Sequence, residues 1–326
     1  MAFIAYQPQQ TVHANGIELC FDAFGADDAE PMVMIMGLGA QLIHWDDDFC
    51  KALAACGFRV IRFDNRDIGH STKMTGGQRI TVKELLKLRF FGTPLDAPYT
   101  LRDMAADVVG LLDALGIANA HVVGASMGGM IAQEVAISHP HRLRSLTSIM
   151  SSTGDPKLPQ PTREASMLLL ARQPANKDAY LKLFARTWKI LRGGSFPEEE
   201  ALDRDRAERT FARGLNPSGV GRQLRAILAS GDRTQRLRSV KAPPLVIHGS
   251  NDPVVRPEAG RATAAAVPGA RLLMLDGMGH AIPMPMWPQI VNAIVGHARA
   301  AAPAKTAAPA LPERRQRHPL AQTSST

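Results

Sequence analysis

The sequence predicts an α/β protein with a doubly wound, mostly parallel sheet and an inserted helical cap. Short apolar runs alternate with amphipathic helical segments, which is the pattern of a parallel sheet covered by helices on both faces. Residues 151–240 interrupt this alternation with six prolines and apolar residues at helical spacing. The chain has 326 residues, enough for one large domain with an insert.

Strand and helix signals alternate along the chain. Asn15-Gly16 separates strand-like runs at 10–13 and 17–23, and this dipeptide favours a type I′ hairpin turn because both central residues need φ > 0. Six further apolar runs have the length of buried parallel strands, at residues 32–36, 59–63, 121–125, 145–150, 243–248 and 271–275. Helical segments connect the earlier runs, at residues 47–56, 100–115 and 130–138. Six parallel strands with helices between them make an open, doubly wound sheet.

The insert follows the predicted strand at 145–150. Within it, the helical spacing of apolar residues is clearest at 179–191 and 198–212. A smaller helical excursion is expected at 78–91, near the opening between the insert and the sheet. The end of the chain is rich in Ala, Pro and basic residues, with almost no large apolar side chain, and is expected to be disordered. The chain therefore divides into a core at 1–150 and 241–299, a helical cap at 151–240 and a tail at 300–326.

The insert also carries most of the positive charge. The formal net charge is +8, and residues 151–240 hold seventeen basic and ten acidic residues. Acids and bases alternate in the run Asp-Arg-Asp-Arg at 203–206, a pattern typical of a solvated helix face. With only three tyrosines and three tryptophans in the chain, no basic aromatic motif accompanies this charge. Nucleic acid is therefore not expected as a partner.

The composition also argues against membrane and secreted classes. The sequence has no run of about 18 apolar residues, and its first residues lack the pattern of a secretory signal. Cys20, Cys50 and Cys56 are an odd number without metal-ligand spacing, which indicates reduced thiols. We expect a cytoplasmic protein with no membrane partner, no metal and no cofactor.

The most informative motif is Gly-Ala-Ser-Met-Gly at residues 124–128, between a predicted strand and a predicted helix. A turn this tight needs flanking positions without bulky side chains, and it holds Ser126 at its apex with the hydroxyl exposed. The amide of Met127 would lie at the N-terminus of the following helix, where unpaired N–H groups favour developing negative charge. The alternative is an ordinary glycine-rich helix start.

Ser126 needs a base within hydrogen-bond reach, because serine at its ordinary pKa is a weak nucleophile. Asp252 and His280 each follow a predicted strand by a few residues. The carboxyl ends of parallel strands meet at one edge of the sheet, so these three side chains can converge. Asp252 could instead be a turn residue before proline, and His280 a surface histidine. Asp276 and Asn251 are rivals for this role, although Asp276 lies on the same short loop as His280.

A second anion-binding amide is expected in the loop after the first parallel strand, which reads Met-Gly-Leu-Gly at 36–39. Glycine at 37 and 39 lets backbone amides face an anion without obstruction by a side chain. We assign this donor to the amide of Leu38. A plain strand-to-helix turn is the alternative.

Together these motifs resemble the α/β-hydrolase superfamily over roughly residues 10–299. The segments at 124–129, 249–252 and 279–280 match its nucleophile, acid and base motifs. The oxyanion loop departs from the pattern of many members, which have His-Gly where this chain has Met36 and a glycine.

Two further segments extend the resemblance. The run Asp-Asn-Arg-Asp-Ile-Gly-His-Ser at 64–71 is similar to the family's stretch after its fourth strand, which implies a structural role for Asp64 and Arg66. The Met-Gly-Leu-Gly run, with Trp45 and the acid-to-base spacing, is most similar to the capped esterases that include aclacinomycin methylesterase.

The resemblance implies a serine hydrolase that cleaves a small or medium carboxylic ester through an acyl-enzyme intermediate. Ser126 would be the nucleophile, His280 the base and Asp252 the acid that orients it. The amides of Leu38 and Met127 would bind the oxyanion. A serine at the turn argues against the epoxide hydrolases and dehalogenases of this fold, which have aspartate there.

The substrate pocket is expected between cap and core. Its candidate residues are Gly37, Trp45, Ile282 and Met284, with Met286 as a further candidate. For the methionines, packing in the core is an equal alternative.

Other functions remain open at this point. A proline iminopeptidase needs cap carboxylates that bind a free amine, and Glu198, Glu199 and Glu200 could serve, although consecutive acids point in different directions around a helix. Carbon–carbon bond hydrolysis and perhydrolysis use the same triad. A non-catalytic ligand receptor on the same fold is the alternative outside enzymes.

Overall fold

The computed structural model describes residues 4–77, 80–81, 83–84, 87, 95–169, 171, 173–242 and 244–301. Within these residues, eight strands form a single sheet. The strands are Tyr6–Ala14 (β1), Ile17–Phe24 (β2), Glu30–Ile35 (β3), Phe58–Phe63 (β4), Ala120–Ala125 (β5), Leu143–Ile149 (β6), Leu245–Gly249 (β7) and Arg271–Leu275 (β8). Their order is β1-β2-β4-β3-β5-β6-β7-β8. Strands β3 to β8 run parallel, and the β1-β2 hairpin joins β4 in antiparallel pairing.

The helices of the same residues follow the strands in the order expected for a doubly wound sheet. They are Asp47–Ala55 (α1), Leu101–Ala114 (α2), Met127–Ser138 (α3), Arg163–Leu169 (α4), Lys177–Leu191 (α5), Glu200–Ala212 (α6), Pro217–Ser230 (α7), Thr234–Leu237 (α8), Pro257–Ala266 (α9) and Trp287–Ala301 (α10). Helices α4 to α8 lie between β6 and β7 in the chain and supply the inserted cap. The predicted fold class is confirmed, whereas the cap limits at 151–240 stay a prediction.

Alternate residues of β3 face opposite layers of helices. Val33 and Ile35 belong to one apolar cluster, which includes residues of α2 and α3. Met32 and Met34 belong to the other, which includes residues of α1 and α10. This period of two on a strand buried on both faces is what a doubly wound sheet requires.

Most predicted element ends fall within a few residues of the observed ones. Helix α2 begins after Thr100, whose side chain and that of Asp103 form a reciprocal capping box. Helix α10 continues to Ala301, two residues past the predicted end of the core at 299. The predicted excursion at 78–91 lies mostly outside the described residues, and so does the tail from residue 302. None of the helices in the described part of the chain is long and apolar enough to cross a bilayer.

The prediction of a solvated face at 203–206 is wrong for half of that run. Asp203 and Arg206 are buried, because they turn inward on α6. There Arg206 pairs with Asp203 (3.6 Å) and with Asp46 of the core (3.7 Å). Only the two intervening residues, Arg204 and Asp205, are exposed.

The cap rests on the core through arginine side chains that pair with core carboxylates. Besides Arg206–Asp46, these pairs are Arg209–Asp47 (3.4 Å), Arg213–Asp64, Arg222–Asp67 (2.6 Å) and Arg225–Glu84 (2.9 Å). In each of them the base lies on the cap and the acid on the core. We call this set of pairs the charged seam.

Candidate active site

Ser126 lies at the sharp turn between β5 and α3, with φ of +55° and ψ of −120°. Two glycines make this turn sterically feasible. A Cβ atom on Gly124 would lie 2.1 Å from the carbonyl oxygen of Gly128, and one on Gly128 would lie 2.1 Å from the carbonyl oxygen of Ile35. The backbone therefore folds back so closely that neither position tolerates a side chain.

The structure brings Ser126, His280 and Asp252 together at the carboxyl edge of the sheet. The Oγ atom of Ser126 is 2.9 Å from Nε2 of His280, and Nδ1 of His280 is 2.7 Å from Oδ2 of Asp252. With its proton on Nδ1, the imidazole donates to the carboxylate and leaves Nε2 free to accept from the hydroxyl. Residues 154 apart in the chain are thus within hydrogen-bond reach.

The carboxylate of Asp252 is fixed from its other side. Its Oδ1 atom accepts hydrogen bonds from the amides of Val254 (2.8 Å) and Val255 (2.9 Å), and the residue is fully buried. Oδ2 is therefore held towards His280. The rival Asp276 is exposed and accepts instead from the Ser250 hydroxyl at 3.0 Å.

A second histidine, His248, lies close to the same carboxylate. Its Nε2 atom is 2.8 Å from the carbonyl oxygen of Val255 and 3.6 Å from Oδ2 of Asp252. Burial lowers the pKa of the His248 imidazole, so the ring stays neutral and donates from Nε2 to the carbonyl. The Nδ1 atom of His248 has no hydrogen-bond partner among the described residues.

The Met-Gly-Leu-Gly loop lies directly against the serine. A Cβ atom on Gly37 would be 3.1 Å from Cβ of Ser126 and 3.6 Å from its Oγ. Within the described residues, no acceptor is found for the amides of Leu38 and Met127, whereas the amide of Gly39 donates to Oε1 of Gln223 at 2.9 Å. Unpaired amides in this loop and at the start of α3, next to the serine in the chain, suit an oxygen that becomes negatively charged.

The end of cap helix α5 holds the loop that carries His280. The backbone amide of His280 donates to the carbonyl oxygen of Leu191 at 2.6 Å. A Cβ atom on Gly279 would lie 2.1 Å from that same oxygen, so only glycine permits the contact. On the neighbouring loop, Asn251 donates from Nδ2 to the Ser195 hydroxyl at 2.8 Å. Sequence reasoning missed Leu191 and Ser195, and only the Gly279-His280 pair signalled this close approach.

The other residues expected in the pocket lie in different surroundings. Trp45 is 2% exposed and stacks on Phe49 of α1 at 5.9 Å, so the structure assigns it to the core and not to a pocket wall. Ile282 and Met286 are partly buried against the apolar cluster that contains α10. Met284 is 47% exposed. Gly37, also of the expected set, lies directly against Ser126.

Asp64 and Arg66 are both buried and both engaged in structural contacts. Asp64 accepts hydrogen bonds from the amides of Leu42 (2.7 Å) and His70 (2.9 Å). Burial raises the pKa of its carboxyl, against the opposing effect of Arg213. The guanidinium of Arg66 forms two 2.6 Å hydrogen bonds to the Asp107 carboxylate. These contacts anchor the loops that flank the site.

The fold and these motifs agree with comparisons to known proteins. Residues 30–285 match a family described as the alpha/beta hydrolase fold. The chain belongs to this family. Rhodomycin D methylesterase DauP of Streptomyces sp. strain C5 is 29% identical, with 90% of this chain and 99% of that protein covered. The putative non-heme bromoperoxidase BpoC of Mycobacterium tuberculosis is 30% identical, with 81% and 91% covered.

A solved structure gives the same architecture. The meta-cleavage product hydrolase CumD of Pseudomonas fluorescens IP01 superposes with a TM-score of 0.72 and covers 90% of this chain and 98% of its own. At 19% sequence identity, this likeness concerns the fold alone. Among the described residues, no group of three or more His, Cys, Asp or Glu side chains could hold a metal ion.

Proposed function

We propose that this chain is a serine hydrolase that cleaves small or medium carboxylic esters through an acyl-enzyme intermediate. The observation that carries the proposal is the chain of hydrogen bonds from Ser126 Oγ to His280 (2.9 Å) and from His280 to Asp252 (2.7 Å). A hydroxyl, an imidazole and a buried carboxylate in this order form the arrangement that activates serine for acyl transfer.

In the proposed reaction, Ser126 Oγ attacks the ester carbonyl carbon while His280 Nε2 accepts the hydroxyl proton. The carbonyl oxygen becomes an oxyanion between the amides of Leu38 and Met127. The tetrahedral intermediate then collapses, and His280 returns the proton to the departing alcohol. Water, deprotonated by His280, then attacks the acyl-enzyme carbonyl carbon. This second tetrahedral intermediate collapses, His280 returns the proton to Ser126 Oγ, and the acid is released. Asp252 keeps the imidazole in the required tautomer throughout.

The methylesterase name of the relative at 29% identity, aligned over nearly its whole length, supports an ester as the substrate and makes methyl esters the first class to test. The partner is then a small molecule. We propose that the pocket lies between the core and a cap at 151–240, with Gly37, Ile282 and Met284 among the residues that bind the substrate. Cys20, Cys50 and Cys56 form no disulfide, which is usual in a reducing compartment, and a cytoplasmic location is part of the proposal.

The alternatives are less well supported. Glu198 pairs with Lys189 at 2.5 Å, and Glu199 pairs with Arg192 and accepts the amide of Met284 at 2.7 Å. These carboxylates are engaged with cations of the chain itself, which does not favour a proline iminopeptidase that binds a free amine.

Hydrolysis of p-nitrophenyl esters of increasing acyl length, with Ser126→Ala as the control, tests the proposal. The wild type should turn over the shorter esters, and Ser126→Ala should lose about 10⁴- to 10⁶-fold in kcat. Comparable turnover by Ser126→Ala would contradict the proposed nucleophile. Proline p-nitroanilide, a vinylogous diketone and acetate with hydrogen peroxide, assayed in parallel, separate ester hydrolysis from peptidase, carbon–carbon bond and perhydrolase activities. Ligand binding without any turnover would point to a receptor.

A further inference from the structure

One fully buried side chain of the cap, Gln223 on α7, joins two loops of the core. Its Oε1 atom accepts a hydrogen bond from the amide of Gly39 at 2.9 Å. Its Nε2 atom donates to the carbonyl oxygen of Arg66, also at 2.9 Å. The side-chain amide thus fixes the loop next to Ser126 relative to the segment after β4.

Val220, one turn earlier on α7, contacts the same loop. A Cβ atom on Gly39 would lie 3.0 Å from a Val220 methyl carbon, and Gly39 has φ of +69°. Helix α7 therefore packs directly on the glycine that follows Leu38, in a conformation that glycine adopts without strain.

These contacts leave one amide of the loop free and constrain its neighbour. The Gly39 amide is turned towards the cap by Gln223, while the amide of Leu38 has no acceptor within the described part of the chain. Because the peptide group between the two residues is planar, holding the Gly39 amide also limits the rotation of Leu38. A donor for a developing charge is effective only when its direction is fixed beforehand.

We infer that Gln223 is a positioning residue for the oxyanion hole, so that correct seating of the cap completes the catalytic site. The inference rests on the proposed function, in which the Leu38 amide binds the oxyanion. Gln223 does not touch the reacting atoms, and it acts through the loop that does.

A first measurement examines the two hydrogen bonds of Gln223 without any substrate. Gln223→Met keeps the length of the side chain and removes both hydrogen bonds, so hydrogen exchange at the Gly39 amide, followed by NMR, should become at least about tenfold faster. The matched control is Arg209→Met, which breaks the Arg209–Asp47 contact of the charged seam and should leave exchange at Gly39 unchanged. Equal exchange in Gln223→Met and wild type would overturn the inference.

A second measurement links the hydrogen bonds of Gln223 to catalysis. A displaced oxyanion donor should lower kcat for p-nitrophenyl acetate by about 10- to 100-fold, with KM within about twofold of wild type. Affinity for an aryl trifluoromethyl ketone should fall by a similar factor, because its adduct with Ser126 carries an oxyanion. Val220→Ala, which keeps both hydrogen bonds, should show a smaller loss of the same kind.

The outcomes separate this inference from the proposed function. A wild type that hydrolyses no ester contradicts the proposed function, while exchange at Gly39 still reports whether Gln223 holds the loop. A higher KM with unchanged kcat and unchanged ketone affinity in Gln223→Met would mean that the residue only stabilises the cap, and would overturn the inference.

Discussion

The interior of the sheet and the seam beneath the cap differ in the side chains that fill them. Both faces of the central strands are covered by aliphatic, methionine and aromatic residues in two large clusters. The seam is filled instead by arginines of the cap and carboxylates of the core. Asp67, for example, is fully buried and accepts from Arg222 at 2.6 and 2.9 Å and from Tyr99 at 2.6 Å.

This difference explains where the excess positive charge of the chain lies. Five arginines within residues 151–240 pair with acids of the core, so part of the positive charge of this segment serves an internal interface. Apolar burial has no preferred direction, whereas a buried ion pair depends on geometry and on both partners being present. The cap should therefore be more sensitive than the sheet to the loss of single polar groups.

Among the substitutions that test this comparison, the largest effect is expected at Asp252, at the carboxyl edge of the sheet. Asp252→Asn replaces the acceptor of the His280 Nδ1–H by an amide that can favour the wrong tautomer, and should lower kcat by about 10³- to 10⁴-fold. A cooperative thermal unfolding transition should show that the variant is folded. Asp276→Asn on the neighbouring loop is the matched control and should retain kcat within about twofold. An equal loss of kcat in both variants would contradict the assignment of Asp252 as the acid that orients His280.

The comparison is tested most directly at the charged seam. Arg222→Met leaves the buried Asp67 without its bidentate partner and should lower the free energy of unfolding by about 3–5 kcal/mol. The control Arg204→Met removes an exposed pair with Glu208 on α6 and should change stability by less than about 0.5 kcal/mol. Urea unfolding followed by circular dichroism measures both. Similar values for the two variants would show that the seam contributes no more than surface charges do.

A smaller, pH-dependent effect is expected from His44, whose Nε2 atom lies 2.9 Å from the Thr210 hydroxyl of the cap. Burial, aided by nearby arginines, lowers the pKa of His44 to about 3. Below about pH 6.5 the unfolded chain binds a proton that the folded chain does not, so this contribution to stability is complete above pH 6.5 and decreases towards pH 3.

Urea unfolding between pH 6.5 and 4.5 tests this expectation. The wild type should lose about 1.4 kcal/mol per pH unit more than His44→Gln, while His141→Gln, at an exposed position, should follow the wild type. Parallel pH profiles for wild type and His44→Gln would exclude burial of a neutral His44 beneath the cap.

The sequence carries the information for the sheet and the serine turn because their requirements are local. Val33 and Ile35 alternate with Met32 and Met34 as a strand between two helical layers demands. Gly124 is required by the close approach of Gly128, four residues along the chain. Gln223 could not have been found in this way, because it is 184 residues from Gly39 and no local pattern distinguishes it from any other helical glutamine.

The burial of Asp203 and Arg206 was misjudged for a related reason. Alternating charges look alike whether they face water or a partner that the chain supplies elsewhere, and Asp46 is such a partner for Arg206. Trp45 is a candidate pocket residue from the sequence alone, and its burial and its stacking on Phe49 are visible only in the structure.

The close contact between Gly279 and the end of α5 also has a consequence for protein engineering. The backbone amide of His280 donates a hydrogen bond to the carbonyl oxygen of Leu191. The last turn of α5 therefore supports the catalytic imidazole, although this turn lies within the insert. A chimera that borrows a foreign lid to alter selectivity should retain this turn, so the foreign segment should begin only after Gly193. An exchange of the whole insert would remove the support on which the imidazole depends.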